Sequence, residues 1–490
     1  MASPAVVSAK VPAGSVTTFR TIGMFAAPLV LVLVWLAPIP KEAQVRHALA
    51  IVSFMIVFWV AEVVDYGITA FAGCYLFWLL RVVDFRTSFS GFAQDTPWFL
   101  FCALLIAKVA SKTGLAQRIA YNLMSLVGAS FPRLFLGMIL VSFTLNFIIP
   151  SGLAQMATLA PILIGLVAAF GVPPRSNLGR SLFATLSCTS NLFNKMMLAG
   201  SASLLARGLV ENLTQVRVYW SQWFVAFLPA IPLSIFAIWR VVLWLYPPET
   251  SQVATGSATG FAPVGVSAQG REFLQDGLRK LGPWSAEEQR GSILIAAALA
   301  LWMTDFLHHI NPALIGMGIG LLLCLPKIGV LQSSDIREIN YLPILFVAGV
   351  LSMSAALAET KTLTVMASWL SRWMAPLFSN FIEGAGVLYW SAFVYHLFLG
   401  SELSMLSTSI PAVVQFSVDR GINPLTSAMV WTFAASAQIF VYQSAVLILG
   451  YSFGYFEPKD LLRIGGAMAV TEFLILLLIV SLYWPLIGLR

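Results

Sequence analysis

Charged side chains are scarce in this sequence of 490 residues, in which Asp, Glu, Lys and Arg together make up 10%. Hydrophobic residues make up 59%, and the mean hydropathy is +0.86. So little polar surface cannot cover a water-soluble body of this length, which excludes the soluble globular classes. Continuous apolar runs, each long enough to cross about 30 Å of hydrocarbon, recur along the chain. They predict an all-α polytopic membrane protein and exclude a barrel of alternating strands.

Cysteine and histidine are also rare, with four residues of each. The cysteines lie inside apolar segments without metal-ligand spacing, so we interpret them as small buried side chains and predict no metal site. Zinc-protease, nucleophile-elbow and phosphate-loop motifs are missing, so we predict neither an enzyme nor a cofactor. The 28 basic residues outnumber the 21 acidic ones, but they are dispersed at predicted helix ends, which argues against nucleic-acid binding.

The chain divides into two membrane halves. Residues 1–20 predict a cytoplasmic tail without a cleaved signal peptide, and residues 21–249 a first membrane repeat. Gly, Ser and charged residues dominate 250–290, which predicts a flexible cytoplasmic linker before a second repeat at 291–490. Lys and Arg are more frequent at the ends that lie inside when the N-terminus is cytoplasmic. We therefore expect the inner (plasma) membrane, with the C-terminus external.

Each half contains an apolar segment that is broken near its middle. Residues 133–170 are interrupted at Ser151 and residues 385–418 at Ser401, and a proline follows each serine ten residues later. Both segments predict re-entrant helical hairpins. Short amphipathic segments precede them, at 115–127 and 363–373. The first carries Arg118 on its polar side, and we expect this segment to lie in the plane of the membrane interface.

Each half then contains a predicted transmembrane helix with a polar interruption. The interruption of 178–210 falls at Lys195, 44 residues after the first hairpin serine, and that of 425–455 falls at Ser444, 43 residues after the second. Non-helical backbone at membrane depth is tolerated where protein or a watery cavity satisfies it. With about 11 spans in total, the two repeats are predicted to be inverted around a midplane site, as in secondary transporters. Half-helix N-termini at such a site suit anions.

Two charged residues are unusual for their positions. An ammonium at the depth of Lys195 costs a few kcal/mol and is functional by default, although a lysine can also extend its amine to the interface. Glu402 at the second hairpin break is a proton carrier, a partner for Lys195, an anchor for a substrate amino group or an exposed loop residue. His396 lies either on a proton path or in a structural hydrogen bond. Glu62 and Asp65, near a span end, are read as structural or interfacial.

Several stretches, in order and spacing, resemble the divalent anion/sodium symporter family of dicarboxylate, citrate and sulfate carriers and plastid dicarboxylate translocators. They lie at 59–62, 98–119, 220–249, 442–444 with Gly454 and 459–465, and 483–489. The resemblance implies a homodimeric, elevator-type transporter of small organic anions, above all di- and tricarboxylates. The polar residues at the breaks and the resemblance together give a set of substrate-binding candidates: Ser151, Gly152, Asn194, Lys195, Ser401, Glu402, Ser404, Tyr442, Gln443 and Ser444.

The hairpin breaks depart from that family's signature, a Ser-Asn-Thr triplet that binds sodium and substrate carboxylates. The breaks here read Ser-Gly-Leu from Ser151 and Ser-Glu-Leu from Ser401, so only these two serines remain as residual sodium ligands. We therefore predict exchange or proton coupling rather than sodium coupling, with Lys195, Glu402 and His396 as coupling candidates. The alternatives are a sodium-coupled symporter, a sulfonate or zwitterion transporter, which is favoured if Glu402 faces the site, and a non-transporting receptor subunit.

Overall fold

The computed structural model describes residues 13–128, 130–198, 200–247, 268–378, 380–399 and 401–489, and their regular secondary structure is helical. The predicted all-α class is therefore confirmed. Residues 1–12 of the predicted tail and 250–267 of the predicted linker lie outside this description. The first half contains α1 (Ala13–Leu36), α2 (Ala43–Val60), α3 (Tyr66–Leu79), α4 (Phe85–Ser88), α5 (Asp95–Lys112), α6 (Leu115–Val127), α7 (Phe131–Asn146), α8 (Gly152–Ala169), α9 (Asn177–Phe193), α10 (Ser201–Thr214), α11 (Trp220–Phe227) and α12 (Ala230–Leu245).

The second half of the chain is also helical. It contains α13 (Ala268–Leu281), α14 (Ala286–Met303), α15 (Asp305–His308), α16 (Pro312–Cys324), α17 (Ser333–Arg337), α18 (Leu342–Glu359), α19 (Thr362–Met374), α20 (Phe381–Phe398), α21 (Glu402–Asp419), α22 (Pro424–Ala434), α23 (Ala445–Ser452) and α24 (Pro458–Leu478). Short 3₁₀ turns lie at Ser90–Ala93, Ala375–Leu377, Val441–Gln443 and Trp484–Ile487, and a π-helical turn at Ile479–Tyr483.

In the described part of the chain, five helices are long and apolar enough to cross a membrane, or seven when each of two bent pairs counts as one span. The bent pairs are α5–α6, at 67°, and α11–α12, at 46°. This is fewer than the roughly 11 spans predicted, because several apolar segments of the sequence are divided into helices shorter than a bilayer is thick. Among the described residues the shorter apolar helices are α3, α7 and α16, of which only α7 belongs to a hairpin.

Two hairpins and two broken helices occupy corresponding places in the halves. Helices α7 and α8 form the first hairpin and α20 and α21 the second, and in both the second helix is 18 residues long and contains the proline. The break between α9 and α10 spans 194–200, and the break between α22 and α23 spans 435–444. The first hairpin tip approaches the second broken helix closely, since a Cβ on Gly152 would come within 2.8 Å of Val446 Cγ2. Glycine at this position permits that contact.

Nearby side chains satisfy the backbone of the first break. The Ser203 hydroxyl lies 2.8 Å from the carbonyl oxygen of Met197 and 3.1 Å from those of Asn194 and Gly200. The indole of Trp223 donates to the Lys195 carbonyl at 2.9 Å. Carbonyls that leave a helix inside a membrane protein need such donors, because hydrocarbon offers none. The fold therefore stabilises this break with specific hydrogen bonds.

One polar segment differs from the sequence expectation, and the polar side of another is covered by protein. Residues 268–281 of the predicted linker form α13, which packs against α6 and α8, so this part of the linker is a helix. Arg118, on the polar side of α6, is 8% exposed. Its guanidinium donates to both carboxylate oxygens of Glu288 on α14, at 2.5 and 3.0 Å. Helical periodicity showed the polar side of α6 but not which helix covers it.

The buried Arg118–Glu288 pair predicts a large loss of stability when one partner is removed. Arg118→Met leaves the Glu288 carboxylate buried without its counter-charge, which costs about 3–5 kcal/mol. We expect thermal unfolding of the purified protein to show this loss. Arg279→Met is the matched control, because the Arg279 side chain is 75% exposed and its pair with Asp276 lies at the surface. Equal melting temperatures for the two variants would mean that the buried pair does not stabilise the fold.

Candidate functional site

A cavity of about 280 Å³ lies where the two hairpin tips and the two broken helices meet. Both hairpin serines, Ser151 and Ser401, contribute to its lining. The tips also supply Pro150, Gly152, Leu153, Glu402 and Leu403, and the broken helices supply Asn191, Asn194, Ser201, Ser444, Ala445, Val446 and Ile448. Residues from both halves of the chain therefore enclose one space.

Four helix N-termini point their first residues at this cavity. Helix α8 begins at Gly152, α10 at Ser201, α21 at Glu402 and α23 at Ala445, and all four residues line the space. The N-terminus of a helix carries unpaired N–H groups and a partial positive charge, both of which favour anions. Ser151 already accepts a hydrogen bond from a backbone N–H of α8, at 3.3 Å from Ala154 N.

Lys195 and Glu402 form an ion pair that joins the two halves. The Lys195 ammonium lies 2.9 Å from Glu402 Oε2, and the two side chains are 0% and 11% exposed. Lys195 lies in the break after α9, whereas Glu402 is the first residue of α21. The ammonium also donates to the Asn191 carbonyl at 2.5 Å. A buried ammonium requires such partners, because losing water without them is costly.

Two amides close a ring of contacts around this pair. Gln438 Nε2 donates to Glu402 Oε2 at 3.1 Å, and Asn191 Nδ2 donates to Gln438 Oε1 at 2.8 Å. Because the Asn191 carbonyl accepts from Lys195, the ring passes through four residues and returns to its start. Asn191 Nδ2 also donates to the Ser444 hydroxyl at 3.0 Å. The ring holds the first break, the second tip and the second break together.

Four of the ten predicted substrate-binding residues do not line the cavity. Lys195 lies behind Glu402, and Ser404 is buried in α21 with its carbonyl accepting from Thr408 at 2.8 Å. Tyr442 is 45% exposed and donates to a backbone carbonyl, that of Leu397, at 2.8 Å. Gln443, the fourth, is completely buried. The other six residues, Ser151, Gly152, Asn194, Ser401, Glu402 and Ser444, face the cavity.

Gln443 and His396 satisfy the backbone of the second break. Gln443 Oε1 accepts from the N–H groups of Ile439 and Phe440 at 2.7 and 2.8 Å. His396 Nε2 lies 3.3 Å from the Gln443 carbonyl, and Gln443 Nε2 donates to the His396 carbonyl at 3.4 Å. These contacts correspond to the structural alternative for His396 and place Gln443 in the same role.

Two acidic residues that the sequence pattern indicates as structural or interfacial also line the cavity. Glu62 and Asp65, from the turn between α2 and α3, both line the cavity. Glu62 accepts from the Tyr66 hydroxyl at 3.0 Å, and Arg20 lies 3.9 Å from its carboxylate. Asp65 caps α3 by accepting from Gly67 N at 2.8 Å. The sequence showed both near a span end but carried no sign of which space they face.

The comparisons with known proteins agree with this architecture. The family model described as "Sodium:sulfate symporter transmembrane region" matches residues 19–489. Dicarboxylate transporter 1 of Arabidopsis thaliana chloroplasts is 26% identical, with 99% of this chain and 86% of that protein covered. The citrate/succinate antiporter of Escherichia coli strain K12 is 25% identical over 81% of this chain and 80% of its own. A membrane protein of Cupriavidus necator is 28% identical over 95% and 93%.

A solved structure shows the same fold. The YdaH transporter of Alcanivorax borkumensis superposes with a TM-score of 0.53 over 97% of this chain and 100% of its own, at 16% identity. Such low identity supports the shared fold alone. The family match covers nearly the whole chain, so the chain belongs to the sodium:sulfate symporter family, a family of membrane anion transporters and not of enzymes. The resemblance noted in the sequence is confirmed.

The Lys195–Glu402 pair predicts a non-additive effect on stability. Glu402→Gln leaves the ammonium buried without a counter-charge, and we expect a loss of about 3–5 kcal/mol. Adding Lys195→Met to that variant removes the stranded charge, so the double variant should melt at a higher temperature than Glu402→Gln alone. Differential scanning of the purified proteins measures both. A double variant that melts below Glu402→Gln would show that the two charges do not depend on one another.

Proposed function

We propose that this protein is a secondary active transporter of small organic anions of the di- and tricarboxylate kind, and that it works without sodium, by exchange or with protons. The Lys195–Glu402 pair carries the proposal, because it places a fixed ammonium beside the cavity. The relatives named for dicarboxylates and for citrate and succinate support the substrate class. The four helix N-termini at the cavity supply the positive ends that carboxylates prefer.

The hairpin tips do not fit a sodium ion. After Ser151 the first tip continues with Gly152 and Leu153, which offer no side-chain oxygen, and the Ser151 hydroxyl already caps α8. At the second tip the carboxylate of Glu402 is occupied by Lys195 and Gln438. A cation 4 Å from the ammonium would be repelled by roughly 4 kcal/mol at an effective dielectric of about 20. The Lys195 ammonium therefore supplies the positive charge that a bound cation would otherwise supply.

The same pair offers a route to coupling. While Glu402 is ionised, it neutralises Lys195, and an arriving anion meets a neutral pair. A proton on Glu402 would leave the ammonium as the nearest full positive charge and would strengthen anion binding. Exchange needs no proton, because one anion replaces another while the pair stays intact. Both routes use Glu402, which faces the cavity, and Lys195 behind it, and neither requires sodium.

We further propose that the protein moves its substrate by an elevator motion within a homodimer. In this proposal the hairpins and broken helices form the moving part, since they enclose the cavity together. Glu62, Asp65 and the start of α18 belong to the part that does not move. We place the N-terminus in the cytoplasm and the C-terminus outside the inner membrane, on the distribution of Lys and Arg.

Transport should not depend on sodium. Uptake of labelled succinate into proteoliposomes preloaded with unlabelled succinate is expected to proceed at equal rates in sodium, potassium and choline media of equal ionic strength. The reason is that the fixed ammonium of Lys195 already supplies the positive charge at the tips. A steep, saturable rise of the rate with sodium, together with no response to a pH gradient, would refute this part of the proposal.

Lys195→Met should reduce succinate exchange to less than about 1% of the wild-type rate. Without the ammonium, a bound anion faces the unneutralised Glu402 carboxylate, and repulsion of roughly 4 kcal/mol corresponds to more than two decades. Lys459→Met is the control, because its side chain is 59% exposed and pairs with Glu457 at the surface. Full exchange by the Lys195 variant, with normal yield and melting, would remove Lys195 from the mechanism.

A further inference from the structure

The two amphipathic helices of the chain differ in what covers them. Helices α6 and α19 are both 13 residues long, and each precedes the hairpin of its own half. Around α6 the chain itself supplies the cover, because α13 packs against both α6 and α8. The ring of Phe273 on α13 lies so close to α8 that a Cβ on Gly165 would collide with it, and its centroid is 6.3 Å from that of Tyr121 on α6. An aromatic side chain therefore fills the groove between α6 and the first hairpin.

Around α19 a space is left open instead. A cavity of about 290 Å³ lies between this helix and the second hairpin, with α22 contributing to its far side. The side chains that face it from α19 and α21 are mostly apolar: Met366, Trp369, Leu370, Trp373, Ala412 and Val413. The cavity is separate from the one at the hairpin tips, because the two share no lining residue.

Four polar side chains that line this second cavity already bond within the protein. The hydroxyls of Tyr395 and Thr408 lie 3.0 Å apart. The indole of Trp431 donates to the Ser409 hydroxyl at 2.8 Å, and that hydroxyl donates to the Met405 carbonyl at 2.6 Å. The lining therefore offers a ligand mainly apolar surface. Such a site suits a hydrocarbon chain and not a solute that needs hydrogen bonds on every side.

A basic side chain borders the apolar lining. Arg372 follows Trp369 by three residues on α19, and residues with this spacing are neighbours on the surface of a helix. Arg372 is exposed and makes no hydrogen bond or ion pair with the rest of the described chain. Arg118, the basic residue of α6, is by contrast buried against Glu288. The guanidinium of Arg372 is therefore free to bind an anion such as a phosphate group.

We propose that a membrane phospholipid binds at this place, with an acyl chain in the cavity and its phosphate at Arg372. The two requirements, a hydrocarbon chain and an anionic group next to it, are met together by a phospholipid and not by a small soluble anion. Trp369 and Trp373 are 44% and 49% exposed, and tryptophan is enriched at the level of lipid headgroups. The acyl chain then covers α19 and the second hairpin, as Phe273 covers α6 and the first.

Photolabelling in a bilayer tests the inference. The protein is reconstituted in dioleoylphosphatidylglycerol vesicles that contain a trace of phosphatidylglycerol with a diazirine in the middle of one acyl chain, and labelled residues are identified by mass spectrometry. We expect label at Ala412 and Val413, which are 4% and 0% exposed and which lipid reaches only by entering the cavity. Ala412→Phe fills the cavity and should remove this label. Ala300→Phe, at an exposed position of α14, is the matched control and should leave it unchanged.

A diacylglycerol with the same photoreactive chain tests the role of the phosphate. We expect about fivefold less label in the cavity with this lipid, because it lacks the charge that an arginine near the membrane surface attracts. Arg372→Gln should lower labelling by phosphatidylglycerol to a similar level. Arg337→Gln is the control, because Arg337 is an exposed arginine on another helix, α17.

Three results would overturn the inference. The first is an absence of label at Ala412 and Val413 in the wild type. The second is equal labelling by the two lipids, which would show that the phosphate is not recognised. The third is a disulfide between two chains that carry Trp373→Cys, without lipid label in the cavity, which would assign this face to a second copy of the chain. Because the comparison of lipids uses the wild type, a misfolded variant does not weaken the test.

Discussion

A lysine ammonium buried at the hairpin tips is the constraint on which the rest of the site depends. Lys195 is completely inaccessible to solvent, and its charge is balanced by Glu402 from the other half of the chain. An unbalanced charge in this place would be too costly for the fold to retain. The need to pair Lys195 therefore fixes the first broken helix against the second hairpin. Asn191 and Gln438 complete the ring that holds both breaks at the cavity.

The broken helices also require partners, in this case hydrogen-bond partners for their backbone groups. Backbone groups freed from a helix inside a membrane must be bonded by the protein. Ser203 and Trp223 serve the first break, and Gln443 serves the second through two N–H groups. With the backbone satisfied in this way, the breaks can present short helix N-termini to the cavity without collapsing. In the proposed function these N-termini attract the anion, since no basic side chain is present in the described lining.

Much of the architecture was predictable, because it depends on local pattern. Apolar runs predicted the helices, and the Ser-to-Pro spacing predicted the position of both hairpins. In the structure α8 and α21 begin one residue after Ser151 and Ser401. The pairing of Lys195 with Glu402 was one of several alternatives, since sequence separation does not report distance. The wall formed by Glu62 and Asp65 had no local signal. Which way a polar residue near a span end faces depends on tertiary packing.

The most direct measurement of the central claim is a cryo-electron microscopy structure of the protein in sodium buffer with a bound substrate. We expect that Lys195 remains in hydrogen-bonding contact with Glu402, that the ligand occupies the cavity between the two hairpin tips, and that no cation density is present at either tip. The contrary result is a cation coordinated by the carbonyl oxygens of a tip, with Lys195 turned away from Glu402. That structure would show sodium in the place that we assign to the ammonium.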